Sequence, residues 1–289
     1  MTTTQATIQT GKAPETDPQA ALEPQGDRRY LYCIIDSNEP VTLGPIGIGD
    51  GAQVVTVEHQ GVSALVSTTA SDKLEISRGN AIAHQRVMEA AMQRGYTVLP
   101  VRFNTIAEPK AGKTAQQRII DHVLVGRRDE IHRLMATMKP LVEMGVKGLW
   151  TNMEAVFRGI VTGNATIQSC HKKLLAAAGR GSMGRSQANV NEQVRLGEMV
   201  KKALEARKLE SQAALLERLK PLAADFRINK TFGDPMFANL AILIGKSRQD
   251  EVADALSAFE ARQAYPSKLR YVGPLPPCNF LELVITWDD

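Results

Sequence analysis

The sequence predicts an α+β protein with two α/β domains, antiparallel sheets and a proline-rich C-terminal tail. Three observations support this class. A β-hairpin pattern occurs early in the chain, helical periods alternate with strand-like runs, and the second half has a strand–helix–strand–strand–helix–strand order. The chain has 289 residues, which is enough for two domains of about 100–200 residues each.

The first domain, including a bridging helix, is predicted over residues 29–138. It follows a tail at residues 1–28 that is predicted to be disordered, because it is rich in Thr, Gln and Pro and has no continuous apolar run. Such a composition also differs from that of a signal peptide. The predicted elements are a buried strand at 30–35, a loop at 40–51, a hairpin of strands 54–57 and 62–66, a helix at 79–94 and a strand at 97–103.

The last of these strands contains Pro100. Proline has no N–H to donate to a neighbouring strand, so this strand is predicted to lie at a sheet edge. Further along, Thr114 and Gln117 have the spacing of a capping box, and an apolar stripe continues from them to Pro140. This pattern predicts one long helix that connects the two domains.

The second domain is predicted over residues 139–272, and the tail over 273–289. Counting one interrupted helix as a single element, its order is β-α-β-β-α-β, which is that of a ferredoxin-like fold. The predicted elements are strand 142–150, helix 152–178, a Gly/Ser-rich break, helix 190–219, strands 224–231 and 236–244, helix 250–264, and strand-like runs at 269–272 and 280–285.

Composition narrows the range of functions. The net charge is only +4 and aromatic residues make up 5%, and dense Lys/Arg clusters are missing, so we expect no nucleic acid partner. The three cysteines are far apart without a Cys-x-x-Cys pair, which predicts free thiols in a reducing cytoplasm. Apolar runs stay well short of the roughly 18 residues that a membrane helix needs, so we expect no membrane partner.

The sequence matches known catalytic motifs only weakly. The loop Gly179-x-Gly181-x-x-Gly184 has dinucleotide-binding spacing, but it follows a helical pattern where a phosphate site requires a strand. The five histidines show no metal-ligand spacing. We therefore expect no enzyme, no cofactor and no metal, and keep a nucleotide-binding regulator or enzyme that uses the Gly179–Gly184 loop as the alternative.

Two residues invite both a structural and a functional interpretation. His84 falls on the apolar face of its predicted helix, which is typical of a hydrogen-bonded core histidine and less often of a binding residue. Arg102 lies between Val101 and Phe103, and a guanidinium that is buried without partners is costly. Arg102 therefore either faces outward or is held as a polar anchor at a binding edge.

Five short stretches also stand out in order along the chain. They are Tyr30-Leu31-Tyr32, His84 with Val87-Met88-Glu89, Val98-Leu99-Pro100-Val101-Arg102-Phe103, Glu143-Met144-Gly145-Val146-Lys147, and Arg270-Tyr271 with Gly273-Pro274-Leu275-Pro276-Pro277-Cys278-Asn279-Phe280. Together they cover about residues 29–286 and resemble the motifs of the gas vesicle protein F/L family (GvpF/GvpL), the accessory proteins of gas vesicle assembly. Three positions depart from the family pattern: Asn104 replaces a common Gly, Leu275 a typical Trp, and Cys278 a typical Tyr.

The resemblance implies a second domain with a modified ferredoxin-like fold and a closing C-terminal tail. It also implies a minor, non-enzymatic protein of the gas vesicle and cytoplasm. Such a protein would bind the main shell protein GvpA, with other accessory proteins as further partners, and help nucleate or extend the vesicle. A scaffold that holds several accessory proteins at once is a further interpretation.

Partner binding is predicted at an exposed sheet edge, that of residues 97–103, which would pair with a strand of the shell protein. The candidate binding residues come from this edge, from the helix before it and from the proline-rich loop. They are Val101, Arg102, Phe103, His84, Pro274, Pro276, Pro277 and Phe280.

Overall fold

The computed structural model describes residues 28–179 and 187–287. Within these ranges the chain forms two antiparallel sheets with helices packed against them. The α+β class with antiparallel sheets is thereby confirmed. The predicted disordered tail, apart from residue 28, and most of the Gly179–Gly184 loop lie outside the described residues.

The first sheet has the strand order β2-β3-β4-β1-β5, with β6 also paired to β1. The apolar, aromatic β1 lies inside this sheet and is fully buried from Tyr30 onward, because its side chains pack into two apolar clusters, one on each face of the sheet. The strands are β1 (Arg28–Ile35), β2 (Thr42–Pro45), β3 (Gln53–His59), β4 (Val62–Thr69), β5 (Val98–Pro100) and β6 (Ile106–Ala107).

The helices of this half cover the sheet through their apolar faces. On the longest of them, α2 (Arg78–Gln93), the buried side chains His84, Val87, Met88 and Ala91 follow helical spacing. The N-terminus of α2 is capped by the side chain of Ser77, which accepts a hydrogen bond from the Asn80 N–H. The other helical segments are α1 (Ile48–Gly51), α3 (Ala115–Arg118), a π-helical segment (Ile119–Val125) and α4 (Arg128–Met138).

The second sheet has the order β10-β7-β9-β8. Its helices cover one face of this sheet and form an apolar core with the inward side chains of β7 and β9. The elements are β7 (Leu141–Trp150), α5 (Met153–Gly163), α6 (Ala165–Gly179), α7 (Gln187–Leu219), β8 (Ala223–Ile228), β9 (Met236–Gly245), α8 (Gln249–Glu260) and β10 (Ser267–Leu275).

Four local predictions were wrong, each for a physical reason. The loop at 40–51 contains β2 and α1, whose apolar residues Val41, Leu43 and Ile48 are buried. The long helix after Thr114 keeps its capping box but widens to a π-helix, where the Gly126 N–H donates to the Asp121 carbonyl. The other two errors concern the helix at 152–178 and the strand at 280–285.

The helix predicted over 152–178 breaks at Asn164. Its side-chain oxygen accepts hydrogen bonds from the N–H groups of Thr166 and Ile167, each at 3.1 Å, so it caps the second helix. Residues 280–285 form no strand, because Leu283 alone makes a β-bridge, to Val101. The C-terminal segment therefore leaves the second sheet at the end of β10 and returns to the first.

Candidate functional site

The edge of the first sheet beyond β5 is closed by the chain's own C-terminal segment. The Leu283 N–H donates to the Pro100 carbonyl at 2.8 Å, and the Arg102 N–H donates to the Leu283 carbonyl at 3.0 Å. Leu283 is 2% exposed and packs with Leu99 and Val101 in the core. The edge that the sequence predicted to be open is therefore already paired. We call the segment 276–287 the clasp.

Charged side chains hold the clasp on its solvent side. The Arg102 Nε lies 3.0 Å from Glu282 Oε2, and both side chains are about half exposed. Further along, the Arg127 guanidinium donates to the Val284 carbonyl at 2.8 Å. These contacts involve the peptide groups and charges of the clasp, so they hold the segment in one register against the first sheet.

Behind the same edge lies a buried aromatic cluster formed by Tyr30, Tyr32, His84 and Phe103. His84 Nδ1 lies 2.9 Å from the Tyr30 hydroxyl. Burial lowers the pKa of His84 to about 4, although a hydrogen bond with the Val101 backbone opposes that shift. His84 is therefore neutral at physiological pH and acts as a core residue that supports the edge.

Asn104 explains one departure from the family pattern. Its φ is +65°, a left-handed conformation that Gly adopts freely and Asn more readily than most other residues. Its side-chain amide both donates to and accepts from the backbone of Leu74, at 2.8 Å each. Asn104 thus meets the backbone requirement of a Gly and also anchors a loop.

The proline-rich loop is fixed to the second sheet through a buried carboxylate. Glu143, on β7, is 2% exposed, and its two oxygens accept from the backbone N–H and the side-chain amide of Asn279, at 3.0 and 2.6 Å. Burial raises the pKa of Glu143, and the two hydrogen bonds from Asn279 counteract part of this rise. Two of the motifs recognised in the sequence are therefore joined by this contact.

The predicted site residues do not form one exposed surface. Val101, His84, Pro276 and Pro277 are buried, whereas Arg102 and Pro274 are exposed. Those near β5 lie together: Val101 pairs with the clasp, and Phe103 packs against His84.

Phe280 and Pro274 have other surroundings. Phe280 packs under the Arg227 guanidinium, 5.1 Å from its ring centre. Pro274 lines a separate cleft beside β10.

Sequence reasoning missed Glu143, Asn279 and Leu283 as the residues that fix the clasp. A carboxylate in the middle of a buried strand was the available signal for Glu143, since a buried charge requires partners. Leu283 carried no such signal, because its partner Val101 is far away in sequence.

The described residues, 28–179 and 187–287, bear on two further kinds of site, metal sites and membrane spans. No group of three or more His, Cys, Asp or Glu residues there is arranged to hold a metal ion. Among the helices of these ranges, none is long and apolar enough to cross a membrane. The features that remain are contacts between parts of the chain and surfaces that are able to bind partners.

Comparison with known proteins agrees with the family that the five motifs resemble. A family model described as gas vesicle synthesis protein GvpL/GvpF matches residues 28–282. The chain belongs to this GvpL/GvpF family. The match includes β1, the Val98–Phe103 stretch and most of the proline-rich loop, and it ends at Glu282 within the clasp.

Relatives match over nearly their whole lengths. Gas vesicle protein F of Streptomyces sp. (strain CB03234) is 28% identical over 254 residues, covering 88% of this chain and 99% of the relative. Gas vesicle protein L1 of Halobacterium salinarum is 26% identical over 290 residues, covering 93% and 96%.

The fold is also that of solved relatives. The crystal structure of GvpF from Anabaena sp. PCC7120 matches with a TM-score of 0.66 at 23% identity, covering 89% of this chain and 99% of that one. The GvpF structure from Microcystis aeruginosa has a TM-score of 0.63 at 22% identity. The chain is thus a gas vesicle accessory protein by family.

Proposed function

We propose that this GvpL/GvpF protein binds the main shell protein GvpA and helps nucleate or extend the vesicle, without catalysing a reaction. The observation that carries the proposal is the family match over residues 28–282. A small hydrophobic shell protein aggregates when it is free, so a binder that keeps it available for assembly has a clear physical role. Other accessory proteins are proposed as further partners, and the gas vesicle and cytoplasm as the location.

We place the binding surface at the exposed part of the clasp. Arg102 is exposed and pairs with Glu282 of the clasp, and Phe280, also in the clasp, is half-buried. Aromatic and arginine side chains are frequent anchors of protein interfaces. Because Leu283 pairs with the sheet edge, we expect GvpA to contact side chains of the clasp rather than to add a strand at β5.

We further propose that the chain divides at residue 139 into two domains, with the clasp connecting the halves. We also propose that the second half is a modified ferredoxin-like fold. The strand order β10-β7-β9-β8 with helices on one face supports this assignment, and the antiparallel pairing of the central strands β7 and β9 is where the fold is modified.

The test is affinity capture of GvpA by the tagged full chain after co-expression, followed by crosslinking. We expect wild type to retain soluble GvpA and Arg102→Glu to retain much less. Arg158→Glu is the matched control, because Arg158 is an exposed arginine on α5, away from the clasp. Failure of wild type to retain GvpA would overturn the function. Equal capture by Arg102→Glu would overturn only the position of the surface.

A further inference from the structure

The second sheet has an edge along β10 that no other strand of the described residues covers. This strand pairs with β7 on one side and is the last strand of its sheet. The Leu269 N–H points outward and is bound at 2.6 Å by Glu260 Oε2, from the end of α8. Because outward and inward groups alternate along an antiparallel strand, the N–H groups of Ser267 and Tyr271 also point outward.

Beside this edge runs a groove between β10 and α8. Its volume is about 690 Å³, and its lining includes Leu256, Ser257, Leu269 and Tyr271. The Ser267 hydroxyl, which also lines it, is buried and has no hydrogen-bond partner among the described residues. A helix that stands beside an open strand edge forms the type of groove in which an extended peptide adds a strand.

A second cleft continues along the same edge. It measures about 460 Å³ and is lined by Glu89, Gln249 and residues 272–275 of β10. The Tyr271 hydroxyl, from the lining of the groove, donates at 3.4 Å to the carbonyl of Gln249, which lines the second cleft. Pro274 lacks an N–H, so the edge available for pairing extends from Ser267 to Gly273.

The other face of β10 carries positive charge. Lys268 and Arg270 are exposed on the face opposite the helices, and Arg270 is directly opposite Lys147 on β7. None of these three cations forms an ion pair with another residue of the described part of the chain. A strand added to β10 would therefore place every second side chain beside these cations and the others in the groove.

We propose that the outer edge of β10 binds an extended partner segment in which acidic residues alternate with apolar ones. The apolar side chains fill the groove against α8, and the acidic ones face Lys268 and Arg270, with Lys147 one strand further in. The peptide backbone pairs with the outward groups of residues 267–273 and replaces the carboxylate of Glu260 at the Leu269 N–H. Two copies of this chain would instead bring Lys268 and Arg270 of both into opposition, which disfavours self-pairing.

The probe is a fluorescent peptide of about seven residues, the length of the open edge, that alternates Val and Glu. Its matched control has Lys in place of every Glu. We expect fluorescence anisotropy to show saturable binding of the acidic peptide to the full chain and at least about tenfold weaker binding of the basic one. Equal affinity for both peptides, or saturable binding of neither, would overturn the proposal.

Three variants and one control locate the site. Ser257→Trp fills the groove from an exposed position and should abolish binding, whereas Asp254→Trp, exposed on α8 outside the groove, should leave it unchanged. The double variant Lys268→Glu with Arg270→Glu should reverse the preference toward the basic peptide.

The third test removes the Glu260 carboxylate that binds the outward Leu269 N–H. Glu260→Ala should strengthen binding a few-fold, since it removes the side chain that the peptide must displace. Unchanged binding in Ser257→Trp would contradict the site, as would a dimer in sedimentation that Ser257→Trp dissociates.

Discussion

The two sheets of this protein differ in how one edge of each is covered, the β5 edge of the first and the β10 edge of the second. Beyond β5, the chain returns and pairs its own Leu283 with Val101, so the edge is covered by a segment of the same molecule. Along β10, the Glu260 carboxylate accepts from one outward N–H, and no other strand of residues 28–179 and 187–287 pairs with that edge. Open edges are prone to pairing with other chains, and proteins commonly protect them with charges or covering segments.

The comparison separates structural motifs from binding surfaces. Pro100, Val101 and Arg102 of the Val98–Phe103 stretch bind the clasp that closes the first sheet, and the proline-rich loop is fixed to the second sheet through Glu143. The β10 edge carries exposed cations without ion-pair partners in the described part of the chain. A recognisable motif can therefore serve the fold, as at Val98–Phe103, or lie on an edge with exposed cations, as Arg270 and Tyr271 do on β10.

The largest loss of stability is expected when the contact between the clasp and the first sheet is weakened. Leu283→Ala removes a side chain that is 2% exposed, and such a core truncation should lower the free energy of unfolding by about 3 kcal/mol. Urea denaturation followed by circular dichroism measures the change. Val284→Ala is the matched control, because Val284 is 40% exposed and its truncation should cost well under about 1 kcal/mol. Equal losses in the two variants would contradict a closing role for Leu283.

A smaller effect is expected at the other end of the clasp. Asn279→Ala removes the side-chain donor to the buried Glu143 carboxylate, which should cost about 2 kcal/mol in the free energy of unfolding. Asn229→Ala is the control, since it removes only a 3.3 Å contact to the Asn279 side chain and leaves both bonds to Glu143. If the two variants are equally stable, the carboxylate contact does not hold the loop.

The origin of these two contacts shows what the sequence was able to predict. The hairpin of β3 and β4 and the helix α2 follow from local periodicity, and their residues behave as predicted. The pairs Glu143–Asn279 and Val101–Leu283 join residues far apart in sequence, and neither partner alone indicates the other. Local spacing therefore predicts elements, whereas the closure of an edge depends on where the chain returns.

The aromatic cluster behind the closed edge should make stability depend on pH. The pKa of His84 is lowered to about 4, while in the unfolded chain it is about 6.5. As the pH falls below about 6.5 the unfolded state binds a proton that the folded state does not, so stability is lost from there down to about pH 4. Between pH 7 and pH 5 the loss from this group should be about 2 kcal/mol.

His84→Gln tests this dependence, because it retains a polar group but does not titrate. Carboxylates also titrate as the pH falls, so the informative quantity is the difference between wild type and variant in unfolding free energy at each pH. We expect that difference to shrink as the pH decreases from 7 to 5. A difference that stays constant over this range would show that His84 is not the group responsible.

The smallest effect is expected at the solvent side of the clasp. The Arg102 and Glu282 side chains are 56% and 48% exposed, and ion pairs in such positions contribute under about 1 kcal/mol and weaken with salt. Arg102→Ala should therefore lower the unfolding free energy only slightly, and the loss should disappear at high salt. The charge swap Arg102→Glu with Glu282→Arg should restore wild-type stability. Because the backbone bonds of Leu283 persist in both variants, a large loss in Arg102→Ala would mean that the ion pair, rather than the buried leucine, closes the edge.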